Sequence, residues 1–302
     1  MMPKHVVLTE VGLRDGLQFE SRSLPTAKKL EVIHRLIKAG VREIQVASFV
    51  NPKLVPQMAD AEALCTRLPP AETVVFSGLV LNGKGLERAL ASGLQEIEIS
   101  VSASEAHSRR NTGLSLEQAR KQARDMITRS RGQNTRVKAS IQCAFGCVLQ
   151  GKIPEDLVLN MAGELIDSGA QTLSLADTTG MAIPVSVTSL LERAHRKFPV
   201  VPLSLHLHDT RGLGLVNLFC GLKQGVSRFD TAFGGMGGCP FIPGASGNIA
   251  TEDTLNLLHG LQLSPGIRIE EIVNITALME KFFSKRYPAK IRENVLQPKP
   301  FR

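Results

Sequence analysis

The stretch Ser204-Leu205-His206-Leu207-His208-Asp209-Thr210 sets two histidines two residues apart at the end of an apolar run. On a strand, alternate side chains share a face, so His206 and His208 point the same way. Paired imidazoles at a strand end supply half of a metal site. Taken alone, the pair equally fits one buried, hydrogen-bonded histidine beside a surface one. Asp15 would add a carboxylate and Asn248 a carbonyl oxygen. That donor set suits a divalent ion such as magnesium, manganese or zinc, with magnesium or manganese favoured because no thiolate cluster demands zinc. Such an ion polarises a hydroxyl and a carbonyl. Arg14, beside Asp15, would hold an anionic or enolate oxygen; an ordinary loop ion pair is the alternative. Cys239 lies in the glycine-rich stretch 234–247, which reads as a mobile flap carrying a thiol, or as a structural loop with a bystander cysteine. Cys65, Cys143, Cys147 and Cys220 read as structural, since free cysteines are mostly small buried hydrophobes.

The elements that must position these residues alternate regularly. Strand-like runs occupy 5–11, 43–49, 73–80, 96–102, 136–143, 172–176, 203–208 and 228–233. Helical patterns fill 26–39, 56–68, 85–91, 115–130, 155–167, 184–198, 213–224 and 251–261. Gly40, Gly93, Gly169 and Gly225 follow helices just before strands, the usual place for a left-handed helix stop. Thr26 and Ser115 look like helix N-caps, and Ser115 with Gln118 matches a capping box. Strict βα alternation with eight units predicts an α/β fold of the closed (β/α)8 TIM-barrel type. The Gly-rich dinucleotide fingerprint of an open doubly wound sheet is missing after the first strand, where Gly12-Leu13-Arg14-Asp15-Gly16 stands. The chain reads as one barrel domain over 1–302, with 265–302 as a C-terminal helical appendage built on a helix at Ile269–Phe283. Barrel active sites lie at the C-terminal strand ends. Arg14, Asp15, Gln45, Asp177, His206, His208 and Asn248 all fall at or near that end.

The 302 residues are 43% hydrophobic and 21% charged, enough apolar material for a large core and too much for a disordered chain. The net charge is +8, but the basic residues are scattered or paired, with one tyrosine and no tryptophan. That argues against a nucleic-acid stacking surface and fits an anionic small ligand or an ordinary solvated surface. Five cysteines, an odd count, point to a reducing cytoplasm. No apolar run approaches the roughly 18 residues of a membrane span. The strand-like run begins too early to leave room for a transit peptide.

Together these segments resemble the 3-hydroxy-3-methylglutaryl-CoA lyase family, metal-dependent TIM-barrel lyases. The resemblance spans about Glu10 to Asp253. It is carried by Glu10-Val11-Gly12-Leu13-Arg14-Asp15-Gly16-Leu17-Gln18, Ser48-Phe49-Val50-Asn51-Pro52-Lys53, Val55-Pro56-Gln57-Met58-Ala59-Asp60, Asp177-Thr178-Thr179-Gly180, the His206–His208 segment, Gly237-Gly238-Cys239-Pro240 and Gly244-Ala245-Ser246-Gly247-Asn248. It implies retro-Claisen cleavage of 3-hydroxy-3-methylglutaryl-CoA to acetyl-CoA and acetoacetate, a step of leucine catabolism. It also implies a metal held by Asp15, His206, His208 and Asn248, and an enolate stabilised by Arg14. Cys239 would deliver a proton. Asp177 is the candidate base, with His206 its rival, and Glu10 and Glu252 would support the ligands from behind. Lys53 would meet the CoA phosphates, and the assembly would be a homodimer. One departure stands out: the family carries a glutamate where this chain has Gln45. A charged hydrogen bond to Arg14 of roughly 1.5–3 kcal/mol would become a neutral one of about half that strength. Glu43 shares the face but lies about 6–7 Å further down the strand. The alternative substrate is therefore a neighbour such as citramalyl-CoA, giving acetyl-CoA and pyruvate. A Claisen synthase is disfavoured by the Gly-Gly-Cys-Pro segment, and a non-catalytic anion-binding barrel by the complete set of candidate residues.

Overall fold

A computed structural model describes residues 2–70, 72–238, 247–292 and 295. Eight parallel strands close into a barrel in sequence order: β1 (Val7–Glu10), β2 (Glu43–Ser48), β3 (Val75–Val80), β4 (Glu96–Ser102), β5 (Arg136–Gln142), β6 (Thr172–Ala176), β7 (Leu203–His206) and β8 (Arg228–Thr231). β8 pairs back onto β1, with Thr9 opposite Asp230. The helices between and after them are α1 (Thr26–Ala39), α2 (Ala61–Cys65), α3 (Gly83–Ala91), α4 (Glu105–Thr112), α5 (Leu116–Arg129), α6 (Glu155–Asp167), α7 (Pro184–Lys197), α8 (Gly214–Lys223), α9 (Thr251–Gly260) and α10 (Ile269–Phe283).

Most strands alternate an apolar face toward the helices with a polar face toward the barrel interior, although Leu79 of β3 and Ala176 of β6 also line the inner cavity. Leu205 and Phe229 crowd Gly221 of α8 from the outer face. On the inner face, the Lys138 ammonium of β5 reaches across to the Asp230 carboxylate of β8, at 2.9 and 3.2 Å to its two oxygens. These strands are not neighbours, so the contact spans the interior. A barrel lined with buried charge costs desolvation unless every group is paired. Glu43 is met by Arg228 and by Thr9 Oγ1, at 2.9 Å for the latter.

Several local expectations are corrected. The helical pattern 56–68 breaks into a tight turn at Pro56–Met58 followed by α2. Asp60 lies between them and accepts from Thr26 Oγ1 and the buried Lys29 ammonium. Thr26 is thus a donor to Asp60, and Pro25 occupies the N-cap of α1. The stretch after β4 carries two helices: α4, capped by Ser104, precedes α5. The capping box at the start of α5 forms as expected, with Ser115 Oγ accepting from the Gln118 amide. Gly40 ends α1 at φ +106°, where a Cβ would lie 2.2 Å from the Gly266 oxygen.

After β1, Gly12–Gly16 form one wide helical turn in which the amides of Arg14, Asp15 and Gly16 converge on the Val11 carbonyl. A Cβ on Gly12 would lie 2.6 Å from the Phe233 ring and 2.8 Å from Glu10. α10 packs on α1 and α9, and its Ile272, Ile275 and Met279 are buried. Among the described residues, no helix is long and apolar enough to cross a membrane.

Candidate active site

The wide turn after β1 and the end of β7 meet at the mouth of the barrel. Ligand atoms of Asp15, His206 and His208 all lie within 4.8 Å of one another. His206 Nε2 and His208 Nε2 face each other at 3.2 Å, and Asp15 Oδ2 stands 3.9 and 3.8 Å from them. His206 Nδ1 lies 3.2 Å from Asp230 Oδ2. A carboxylate only accepts there, so Nδ1 carries the proton and Nε2 turns its lone pair into the site. Burial opposes a charge on His206, yet the Asp230 hydrogen bond and the Asp15 carboxylate outweigh it and raise its proton affinity. Burial likewise works against ionised Asp15, but Arg14 and the two imidazoles hold it well below the usual carboxylate range.

Asn248 completes the constellation. Its Nδ2 donates to Asp15 Oδ2 at 2.7 Å and to the Met236 carbonyl at 3.0 Å. That leaves Oδ1 buried without a hydrogen-bond partner. An orphaned buried oxygen, two imidazole lone pairs and an ionised carboxylate together fit a divalent cation. The backbone fixes Asn248 firmly. It bridges to His208, and the Gly247 carbonyl accepts from the Asp209 amide at 2.8 Å.

The Arg14 guanidinium is shared between two partners, its Nε donating to Gln45 Oε1 and its Nη1 to Asp15 Oδ1. Gln45 Nε2 donates in turn to Glu98 Oε2 at 3.0 Å. Glu98 also meets the Lys138 ammonium at 3.1 Å. Lys138 and Asp230 then lead back to His206. Arg14, Asp15, Glu98, His206 and His208 line one cavity of about 470 Å³, within the range of small-molecule sites.

A family model described as HMGL-like matches residues 5–279, more than half of the chain. The chain belongs to the HMGL-like family. This HMGL-like chain is 38% identical over 270 residues to the hydroxymethylglutaryl-CoA lyase of Pseudomonas mevalonii, covering 89% of the chain and 90% of that enzyme. Among solved structures, the hydroxymethylglutaryl-CoA lyase of Pseudomonas aeruginosa superimposes with a TM-score of 0.94 at 34% identity, covering 99% of both chains. The HMG-CoA lyase of Acinetobacter baumannii, solved with coenzyme A and 3-methylmalate, gives 0.93 at 33% identity, over 99% of this chain and 98% of that one.

Within the HMGL-like barrel the other predicted residues divide by environment. Asp177 is buried; its Oδ1 accepts from the amides of Met181 and Ala182 at 2.7 and 3.0 Å, and its Oδ2 has no partner. Burial raises its pKa. Glu10 and Glu252 hold backbone rather than ligand side chains. Glu10 accepts from Gly12 N at 2.8 Å and Phe233 N at 3.0 Å, stapling the Arg14–Asp15 turn to the turn after β8. Glu252 accepts from Gly234 N and from Thr276 of α10. Lys53 is exposed on the loop whose Asn51, Leu54 and Val55 line the cavity, but does not itself line it.

Cys239 lies outside the described residues. Residues 240–246 of the glycine-rich stretch lie outside them too, and its two ends are packed. Gly234 and Gly235 are buried in a tight turn after β8. Gly247, at φ +78°, packs so closely on Gly237 that a Cβ would lie 2.5 Å from that backbone. Sequence reasoning missed Asp230, Lys138 and Glu98. Their signal was charge at alternate positions of strands that are otherwise buried.

Proposed function

We propose that this chain is a divalent-cation-dependent carbon–carbon lyase cleaving 3-hydroxy-3-methylglutaryl-CoA to acetyl-CoA and acetoacetate. The observation that carries the reading is the convergence of Asp15, His206, His208 and the orphaned Asn248 oxygen beside Arg14, in one cavity, in a chain whose relatives bear that activity. Those four residues would hold magnesium or manganese, which supplies Lewis acidity toward a hydroxyl and a neighbouring oxygen when bound.

In this mechanism a base takes the C3 hydroxyl proton. Asp177 suits the task, because its Oδ2 is unpaired and burial has raised its affinity for a proton. The C2–C3 bond then breaks, leaving a ketone on acetoacetate and the electron pair on the thioester as an enolate. Arg14 faces the developing oxyanion with a guanidinium held by Gln45 and Asp15. Cys239 returns a proton to C2 and releases acetyl-CoA. With its Nδ1 proton committed to Asp230, His206 serves as a ligand rather than as the base. The named relatives favour the six-carbon substrate over citramalyl-CoA. The same reading takes the protein as a single-domain, cytoplasmic homodimer acting in leucine breakdown, with Lys53 near the CoA phosphates.

An acyl-CoA panel with added magnesium or manganese tests the proposal, products being identified by mass. Acetoacetate and acetyl-CoA from the 3-hydroxy-3-methylglutaryl thioester support it. No release, or pyruvate from citramalyl-CoA alone, contradicts it.

A further inference from the structure

We propose that Glu98 is a positioning residue for Arg14, acting through the Gln45 amide, so that a carboxylate on β4 does the work of a direct counter-ion on β2. The inference rests on the lyase reading for its kinetic arm only.

Arg14 is a donor with no acceptor, and Glu98 is an acceptor with no donor when ionised. Gln45 stands between them. Its oxygen receives the Arg14 Nε proton, and its amide nitrogen donates to Glu98 Oε2 at 3.0 Å. Only one orientation of the amide satisfies both neighbours. Turned over, it would face Arg14 with N–H against N–H, and Glu98 with oxygen against oxygen. Glu98 therefore locks the flip of Gln45, and the locked amide aims the guanidinium.

Charge points the same way. Lys138 is one ammonium between two carboxylates, at 3.1 Å from Glu98 and 2.9 Å from Asp230. Asp230 takes both of its oxygens to Lys138 and keeps one toward His206. The negative charge on Glu98 that Lys138 leaves uncompensated finds Arg14 through Gln45. All of these side chains are buried, Gln45 and Asp230 completely. Screening by water is therefore weak, and a misplaced amide would be costly. Glu98 also lines the cavity, so its contacts bear on the floor of the site rather than on a remote part of the barrel.

The test compares the parent protein, Glu98→Gln and the double exchange Gln45→Glu/Glu98→Gln, which keeps the number of carboxylates and amides. Glu98→Gln should lower kcat by about 10–100-fold with KM nearly unchanged, as expected for an outer partner of a catalytic group. The double exchange should recover most of that loss, because the carboxylate again bears on Arg14. An unchanged Glu98→Gln enzyme, or a double variant as impaired as the single one, overturns the proposal. A second readout needs no turnover: solvent exchange of the Arg14 Nε proton by NMR. It should be slow in the parent protein and the double variant, and about tenfold faster or more in Glu98→Gln. Equal exchange in all three also overturns the proposal. An inactive parent protein would sink the lyase reading, while the exchange measurement would still decide the role of Glu98.

Discussion

Replacing Asp230 by asparagine probes the link between the buried charges and the metal ligands. In the parent protein both Asp230 oxygens receive Lys138, and Oδ2 also faces His206 Nδ1 at 3.2 Å. Asparagine keeps the shape but offers one acceptor. If that oxygen serves Lys138, the amide group confronts the His206 Nδ1 proton, and the imidazole gives up its tautomer or its angle. Loss of such an outer partner typically weakens metal binding by about 10–100-fold. That corresponds to about 1.4–2.8 kcal/mol at roughly 1.4 kcal/mol per factor of ten. Breaking a buried ion pair costs about 3–5 kcal/mol, and the lower figure applies because Glu98 still holds Lys138. Asp230→Asn should therefore fold, melt earlier, and bind manganese more weakly in calorimetric titration. A manganese affinity within about twofold of the parent would refute the reasoning, since an unlocked His206 cannot remain an equal ligand.

Other predictions follow from single contacts. Asn248→Ala removes the orphaned oxygen and the hydrogen bond to Asp15, and should weaken manganese binding about tenfold or more by titration; unaltered binding would exclude Asn248 as a ligand. Gly12→Ala forces a methyl group against the Phe233 ring and Glu10, and should cost about 1–3 kcal/mol in denaturant unfolding; a neutral result would contradict the packing described. Burial pushes Glu10 up to about 8 and Glu252 up to about 7, from 4.5. Between those values the folded chain keeps protons that the unfolded chain has released, so their contribution is complete below pH 4.5 and is lost as pH rises through about 7–8. Glu10→Gln should flatten that decline in urea unfolding followed across pH, and a parent protein equally stable across the window would contradict it.

The barrel was legible because several βα units carry their own punctuation. Gly40 ends α1 in the left-handed region, and Ser115 and Gln118 close the capping box of α5. The histidine pair was legible because period-two spacing puts His206 and His208 on one face whatever the rest of the chain does. Asp230, Lys138 and Glu98 were not, because their meaning lies in partners across the barrel. Lys138 and Asp230 are 92 residues apart in sequence, and no local period relates them. The break at Asp60 was hidden for the same reason: Thr26 and Lys29, which hold it, sit on another helix. Gln45 showed as a lost charge in sequence, while the carboxylate behind it on β4 showed only in three dimensions.

The central claim, that one cation held by Asp15, His206, His208 and Asn248 enables carbon–carbon cleavage, meets its most direct test in metal-stripped protein. Manganese is added back stepwise while acetoacetate release from 3-hydroxy-3-methylglutaryl-CoA is followed. The account predicts no release without metal, recovery that saturates at one ion per chain, and loss of both binding and release in His208→Ala. Undiminished release from the stripped protein would contradict it.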